Sequence, residues 1–268
     1  MEIWAADGRA GLLRTENGRC RRAGPSGGAL CFAAGRVYCA DRERCATYDA
    51  ATARPCFSFA VPGDVCALRC FGGMLCALSG DAGSVTGYSL RNGGIVFAAP
   101  AGIGPRAMAV SPGGRRLAVA AGAAGAVMLF DEALRRVGSV PVPGEAVGVG
   151  FFGQGLIALC AVGEERTAGR LLYLGPGGEQ RELLAFPYAP AALCVLPAGP
   201  CVVGCDGQLL GLKASGELCF RRSCGYPAVI RPCPRGALIC DSLRGEVRLL
   251  GGSPLLRTDD LRDALILP

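Results

Sequence analysis

The stretch Ala107-Met108-Ala109-Val110-Ser111-Pro112-Gly113-Gly114-Arg115-Arg116-Leu117-Ala118-Val119-Ala120-Ala121-Gly122 decides how this chain folds. It holds two apolar runs, residues 107–110 and 116–121, on either side of the turn Ser111-Pro112-Gly113-Gly114. Two more runs follow at 126–131 and 137–142, and Pro143-Gly144 opens the next unit. Runs this short, with turn residues on both sides, have the length of strands and not of helices. The proline and glycines between them set turn conformations and interrupt any continuing ladder.

The unit recurs. An apolar run opened by a small residue, just after a Pro/Gly turn, also appears at Ala29-Leu30-Cys31-Phe32, Val65-Cys66-Ala67-Leu68, Ala146-Val147-Gly148-Val149, Ala192-Leu193-Cys194-Val195, Ala228-Val229-Ile230 and Ala264-Leu265-Ile266-Leu267. The seven starts lie 36, 42, 39, 46, 36 and 36 residues apart. Three further runs follow most of them, for example at 36–41, 45–49 and 56–61, at 156–162, 170–175 and 181–186, and at 237–242, 246–251 and 254–257. Four strands per unit at a period near 40 residues is the pattern of a β-propeller. The two ends of the sequence are complementary. Residues 2–6, 9–14 and 19–22 read as a second, third and fourth strand without a first, and residues 264–267 as a first strand without the others. The expected fold is therefore all-β, a single seven-bladed propeller domain over residues 1–268. Its four-stranded antiparallel blades close into a ring because the N- and C-terminal strands share one blade. Closure hides the two edges that an open row of sheets exposes. Two stacked sandwiches leave the matching incomplete units unexplained.

Composition agrees. The chain is 51% hydrophobic and 19% charged, which excludes a disordered segment. Its 42 glycines and 18 prolines argue against long helices, since each costs roughly 1–3 kcal/mol inside one. The formal net charge is +6, and every basic residue except Lys213 is arginine. These arginines are scattered, as Arg19, Arg21 and Arg22 and the pairs Arg115-Arg116, Arg135-Arg136 and Arg221-Arg222, which does not make a nucleic-acid footprint. At strand edges such residues blunt pairing with other chains. Sixteen cysteines suggest a disulfide scaffold, yet a chain this long needs no staples. Many also sit within apolar runs such as Leu238-Ile239-Cys240, where a thiol packs as a small hydrophobe. Cys39, Cys76, Cys160, Cys205 and Cys240 recur in second strands, where small residues let blades approach. The opening Met1-Glu2-Ile3-Trp4 has neither the basic start nor the apolar core of a secretion signal, so reduced thiols and a cytoplasmic location are expected. The best apolar candidate, residues 117–130, is broken by Gly122 and Gly125 and falls short of the roughly 18 residues a membrane helix needs.

The second-strand segments Trp4-Ala5-Ala6-Asp7, Tyr38-Cys39-Ala40-Asp41, Leu238-Ile239-Cys240-Asp241 and, with one change, Val203-Gly204-Cys205-Asp206 share a pattern. Together with Ser111-Pro112-Gly113-Gly114-Arg115-Arg116-Leu117 and the strand ends Phe130-Asp131 and Tyr48-Asp49, they resemble the YVTN-type repeat of lactonase-like seven-bladed propellers. The resemblance runs along the whole chain but lacks the Trp-Asp pairs of WD40 repeats. It implies a propeller fold and a group that contains both lactonases and binding scaffolds, so function must be argued from the site.

On this register the residues just before the innermost strands are Gly28, Asp64, Arg106, Glu145, Ala191, Pro227 and Asp263. The charged four, Asp64, Arg106, Glu145 and Asp263, are the candidate ligand-binding residues at the channel mouth. Loops between second and third strands add Asp7, Asp41, Asp81, Glu164, Glu165, Asp206 and Asp241 to that face, with Arg42, Arg44, Arg166 and Arg244 beside them. A funnel of mixed charge suits a polar ligand or a protein partner. The plainer reading is that the loop aspartates cap backbone amides and the arginines pair with them. Carboxylates at the mouth suit a hard cation, and with the resemblance to lactonase-like propellers this implies a metal-dependent lactonase as the alternative function. However, the amide ligands Asn17 and Asn92 lie away from the mouth. With no histidine in the chain, neither a sugar-phosphate lactonase base nor a cysteine nucleophile's partner is evident. Cys66 with Cys70, Cys201 with Cys205 and Cys219 with Cys224 lack zinc-knuckle spacing. Gly122-Ala123-Ala124-Gly125 and Gly175-Pro176-Gly177-Gly178 lack the lysine and hydroxyl of a phosphate loop. The expectation is a monomeric, non-catalytic binding propeller without cofactor, metal, nucleic acid or membrane.

Overall fold

In a propeller the second strand of each blade is covered on both faces, so alternation between apolar and polar residues is lost there and apolar residues run consecutively up to a polar last residue. The segments IWAAD and MLCALS are of this kind, and each is buried along its whole length. The computed structural model describes residues 2–16, 19–25, 27–225, 227–233 and 235–267. Blade 1 contributes β1 (Ile3–Asp7), β2 (Gly11–Glu16) and β3 (Arg19–Gly24). Blade 2 is β4 (Ala29–Ala33), β5 (Arg36–Ala40), β6 (Arg44–Asp49) and β7 (Pro55–Ala60). Blade 3 is β8 (Val65–Phe71), β9 (Met74–Ser79), β10 (Ser84–Ser89) and β11 (Ile95–Pro100). Blade 4 is β12 (Ala107–Val110), β13 (Leu117–Ala120), β14 (Ala126–Phe130) and β15 (Arg136–Pro141). Blade 5 is β16 (Glu145–Phe152), β17 (Gly155–Val162), β18 (Ala168–Leu174) and β19 (Gln180–Phe186). Blade 6 is β20 (Pro190–Leu196), β21 (Gly199–Gly204), β22 (Gln208–Leu212) and β23 (Leu218–Ser223). Blade 7 is β24 (Pro227–Cys233), β25 (Gly236–Asp241), β26 (Glu246–Leu249) and β27 (Pro254–Arg257). The last strand, β28 (Leu261–Ile266), returns to blade 1, whose order is β28-β1-β2-β3.

All seven sheets are four-stranded and their pairings antiparallel. The first strands touch in a closed cycle, β28 to β4, β8, β12, β16, β20, β24 and back to β28, which makes the ring. Apolar side chains gather in seven clusters, each between two adjacent blades. Alternation along one strand feeds two clusters. Met74, Cys76 and Leu78 of β9 pack toward blade 4, while Leu75 and Ala77 pack toward blade 2. Outermost strands have no such cover, and Arg19, Arg21, Arg22, Arg136, Arg221 and Arg222 lie exposed there. Cysteines follow the same logic. All sixteen are thiols, and Cys39, Cys76, Cys160 and Cys240 are buried in second strands. Cys205 differs from the expectation: β21 ends at Gly204, and Cys205 is exposed in the turn that follows.

The seam in blade 1 is where the ring is joined without a covalent turn. Trp4 pairs with Leu265 and Ala5 with Ala264 across β1 and β28. Trp4 is wholly buried, packed with Leu12, Leu30 and Tyr48. Below it the Asp7 carboxylate accepts the amides of Arg9 (2.7 Å), Ala10 and, from the far end of the chain, Asp260 (2.8 Å). Gly8 returns an amide to the Asp260 carbonyl at 2.8 Å. Burial alone raises the Asp7 carboxyl, but those three amides outweigh it and hold it below its ordinary 3.8.

Two predictions follow from these environments. Asp7→Ala leaves buried amides without an acceptor, and urea denaturation at neutral pH should show a loss of roughly 2–4 kcal/mol. Because the folded value lies below the ordinary one, this difference between wild type and variant is complete above about pH 5 and shrinks as pH falls through the folded value. Thiol accessibility is the second test. Burial pushes Cys39, Cys76 and Cys160 up to about 12. Native-state alkylation followed by mass spectrometry should label the exposed Cys20, Cys56 and Cys219 first. Cys39, Cys76 and Cys160 should react only after denaturant is added.

Candidate functional site

Loops entering the first strands and loops joining second to third strands meet on one face, around a cavity of about 890 Å³ that runs into the channel. Asp64, Arg106 and Asp263 line it, as do Asp41, Arg42, Glu43 and Arg44 from the second-to-third loop of blade 2. Glu145 sits at the same rim, behind Arg106. The described structure brings all four sequence candidates to this end of the propeller, but in two different states. Asp64 and Arg106 precede β8 and β12 and are exposed. Glu145 begins β16, Asp263 lies within β28, and both are buried, at 7% and 3% exposure.

The difference comes from strand register. Five of the seven first strands carry a bulge near the mouth, with register shifts at Val65/Ala67, Ala146/Gly148, Pro190/Ala192 and Pro227/Val229 and one opposite Ala6/Asp7 in β28. A bulge inserts one residue and re-aims its side chain. Four of the five inserted residues, Cys66, Val147, Ala191 and Arg262, line the cavity, and the side chain of the fifth, Ala228, lies outside the described residues. In β28, Arg262 is thus turned to the opening and Asp263 inward. Gly28 cannot hold a larger residue, because a Cβ there overlaps the Ala40 carbonyl oxygen. Pro227 opens β24, and its side chain lies outside the described residues, as does Asn17; Asn92 caps a turn between third and fourth strands, at the other end.

Asp263 is held by a dense network. Arg231 Nε donates to its Oδ1 at 2.8 Å, and Arg231 Nη2 pairs with its Oδ2. The amides of Leu30 and Ala264 donate to the same carboxylate at 2.8 Å each, and Arg231 Nη2 reaches the Leu30 carbonyl at 2.8 Å. One carboxylate so joins blades 7, 1 and 2. Burial opposes the charge on Arg231, but Asp263 outweighs it and raises the guanidinium above its ordinary value. Glu145 is held between two cations, Arg106 at 3.0 Å and Arg166 at 2.5 Å. Asp41, Asp206 and Asp241 follow the plainer reading, as Asp7 does. Asp41 accepts the amides of Glu43 and Arg44, Asp206 that of Gln208, and Asp241 that of Arg244.

Two arginines escape a reading based on strand boundaries. Arg69 lies in Val65-Cys66-Ala67-Leu68-Arg69-Cys70-Phe71 and Arg231 in Val229-Ile230-Arg231, and both line the cavity below the rim. The available signal was a charged residue inside an otherwise apolar first strand, a position that faces either a neighbouring blade or the bore. Arg69 donates to the adjacent Leu68 carbonyl at 2.7 Å, and among the described residues no carboxylate pairs with it. Burial, reinforced by Arg231, pushes it down to about 10, so it remains a cation at neutral pH. Among the described residues no group of three or more His, Cys, Asp or Glu is placed to hold a metal ion.

These features define a seven-bladed β-propeller with a charged channel mouth. No family model matches the chain, and no curated protein does. Solved structures of the same shape are numerous. Kuenenia stuttgartiensis hydrazine synthase is similar with a TM-score of 0.75 at 12% identity, over 89% of this chain and 88% of that one. The WD40 β-propeller domain of Doa1 gives 0.71 at 11%, over 89% and 85%. BBS1N, solved in complex with ARL6DN, gives 0.70 at 14%, over 90% and 83%. At such identities the likeness shows the fold alone. The particular fold is thus a closed propeller seen both in a protein named as a synthase and in one solved with a protein partner.

Breaking the three-blade network tests its weight. Arg231→Met strands a buried carboxylate and should cost roughly 3–5 kcal/mol in chemical denaturation. Combining it with Asp263→Asn should recover part of the loss, since the stranded charge is then gone.

Proposed function

We propose that this chain is a non-catalytic binding propeller of the YVTN, lactonase-like kind, working as a cytoplasmic monomer whose partner protein docks on the channel-mouth face. The observation that carries this reading is the rim itself. Asp64, Arg42 and Arg106 stand exposed around the opening, while the carboxylates beneath them are engaged by arginines. Exposed charge of both signs gives electrostatic complementarity and register to a partner rather than deep burial. BBS1N, a propeller of the same shape, was solved with a second protein, which supports the reading by analogy. The lactonase alternative gains no support, because Glu145 and Asp263 are already committed to Arg106, Arg166 and Arg231.

The test compares variants at the two ends of the molecule. Asp64→Arg and Arg42→Glu alter exposed mouth residues, and Arg115→Glu alters the exposed turn after β12 at the other end. Each should change stability by no more than about 0.5 kcal/mol. Quantitative affinity capture from the source cell at physiological salt should show a protein retained by wild type and Arg115→Glu and reduced at least tenfold with the mouth variants. Retention indifferent to the mouth variants places the working surface elsewhere. Lactone turnover in the presence of added divalent cation, lost in Glu145→Ala, replaces the binding reading with the hydrolase.

A further inference from the structure

A guanidinium in the bore of a propeller has few ways to satisfy its charge. The neighbours that act on Arg69 electrostatically are Arg231, Cys31, Asp263 and Cys194, carried by β24, β4, β28 and β20. Those residues belong to four other first strands, and Arg69, Arg231 and Asp263 line the same cavity. Asp263, the one carboxylate among them, is already filled by Arg231 and by the amides of Leu30 and Ala264. Arg231 is neutralised in that pair, and Arg69 is left with a single backbone carbonyl for its donors. A guanidinium presents five donors in a planar fork that matches a carboxylate or phosphate. Ala67, Ala107, Val149 and Leu193 line the same space between the charged residues. At about 890 Å³ the cavity falls within the size range of small-molecule sites, which pair apolar walls with a few polar groups that fix orientation.

We propose that the channel of this propeller is a binding site for a small organic oxyanion, a carboxylate or a phosphate ester, whose anionic group is clamped by Arg69 and whose body lies toward the mouth. The ligand completes the donors that the protein leaves open. Access is from the mouth, where Asp64 and Arg262 line the cavity, so a protein docked there covers the ligand. The site does not rest on that docking, and either can exist without the other.

Inorganic phosphate and succinate are the probes, titrated separately at constant ionic strength and constant chloride and followed by thermal unfolding. At least one should stabilise the wild-type protein in a saturable way, and which one does so separates the phosphate from the carboxylate class. Arg69→Gln should raise the apparent dissociation constant at least tenfold. In buffer without either probe it should be no less stable than wild type, because it removes an unpaired cation; a purely structural plug predicts the opposite. Equal stabilisation of wild type and variant, or none of wild type, overturns the proposal. Should Arg69→Gln fail to fold, wild-type crystals soaked in selenate decide the matter. An anomalous peak within hydrogen-bond distance of the Arg69 guanidinium sustains the site, and an empty channel removes it.

Discussion

A sheet that is apolar on both faces cannot end a stack, because one face is always left to water. That constraint shapes this protein. Each second strand buries alternate residues against the blade before and the blade after, as Trp4 and Ala6 do on one side and Ile3 and Ala5 on the other. The arrangement is stable only when the row of sheets returns to its start. The result is a ring with seven separate cores and none at the centre. Burial of apolar area supplies the cohesion, spread almost evenly around the circle. The pairing of β1 with β28 is the point at which the chain meets that constraint.

An open centre changes the physics of the residues that face it. First strands line a bore in which charge is partly shielded from water, so each ionised group there needs a local counterpart. Asp263 has one in Arg231 and uses it to tie three blades. Glu145 has two, Arg106 and Arg166, and carries an excess of positive charge at its side of the rim. Arg69 has none among the described residues. The same chemistry thus serves cohesion at one position and leaves a guanidinium without a carboxylate at another.

The fold is legible in the sequence because its punctuation is local. Pro143-Gly144 and Ser111-Pro112-Gly113-Gly114 mark strand ends whatever the tertiary structure, and the fully apolar Met74-Leu75-Cys76-Ala77-Leu78 announces a strand covered on both faces. The site is legible only in part. Asp64 and Arg106 precede their strands as the repeat register requires. Asp263 does not, because β28 starts at Leu261 and a bulge at Arg262 reverses which side chain meets the opening. Bulges depend on pairing with the neighbouring strand and leave no local mark. Arg69 and Arg231 were hidden for a related reason. Within an apolar run, nothing in the order of residues says whether a charge points to the next blade or into the bore. Cys205 shows the limit at single-residue scale, since one position past the end of β21 moves it from the packed interior to water.

The seam in blade 1 has a consequence for how the molecule comes into being. In the other six blades every strand is followed at once by its partner, so each sheet can form as the chain emerges from the ribosome. The first blade cannot. Its strands β1 to β3 appear early and must wait, with the indole of Trp4 uncovered, until the residues of β28 have been made. Contacts as far apart in sequence as Ile3 and Ile266 are slow to find each other. The flank therefore stays exposed until β28 has been made, and an early-made edge of this kind is a natural client surface for chaperones.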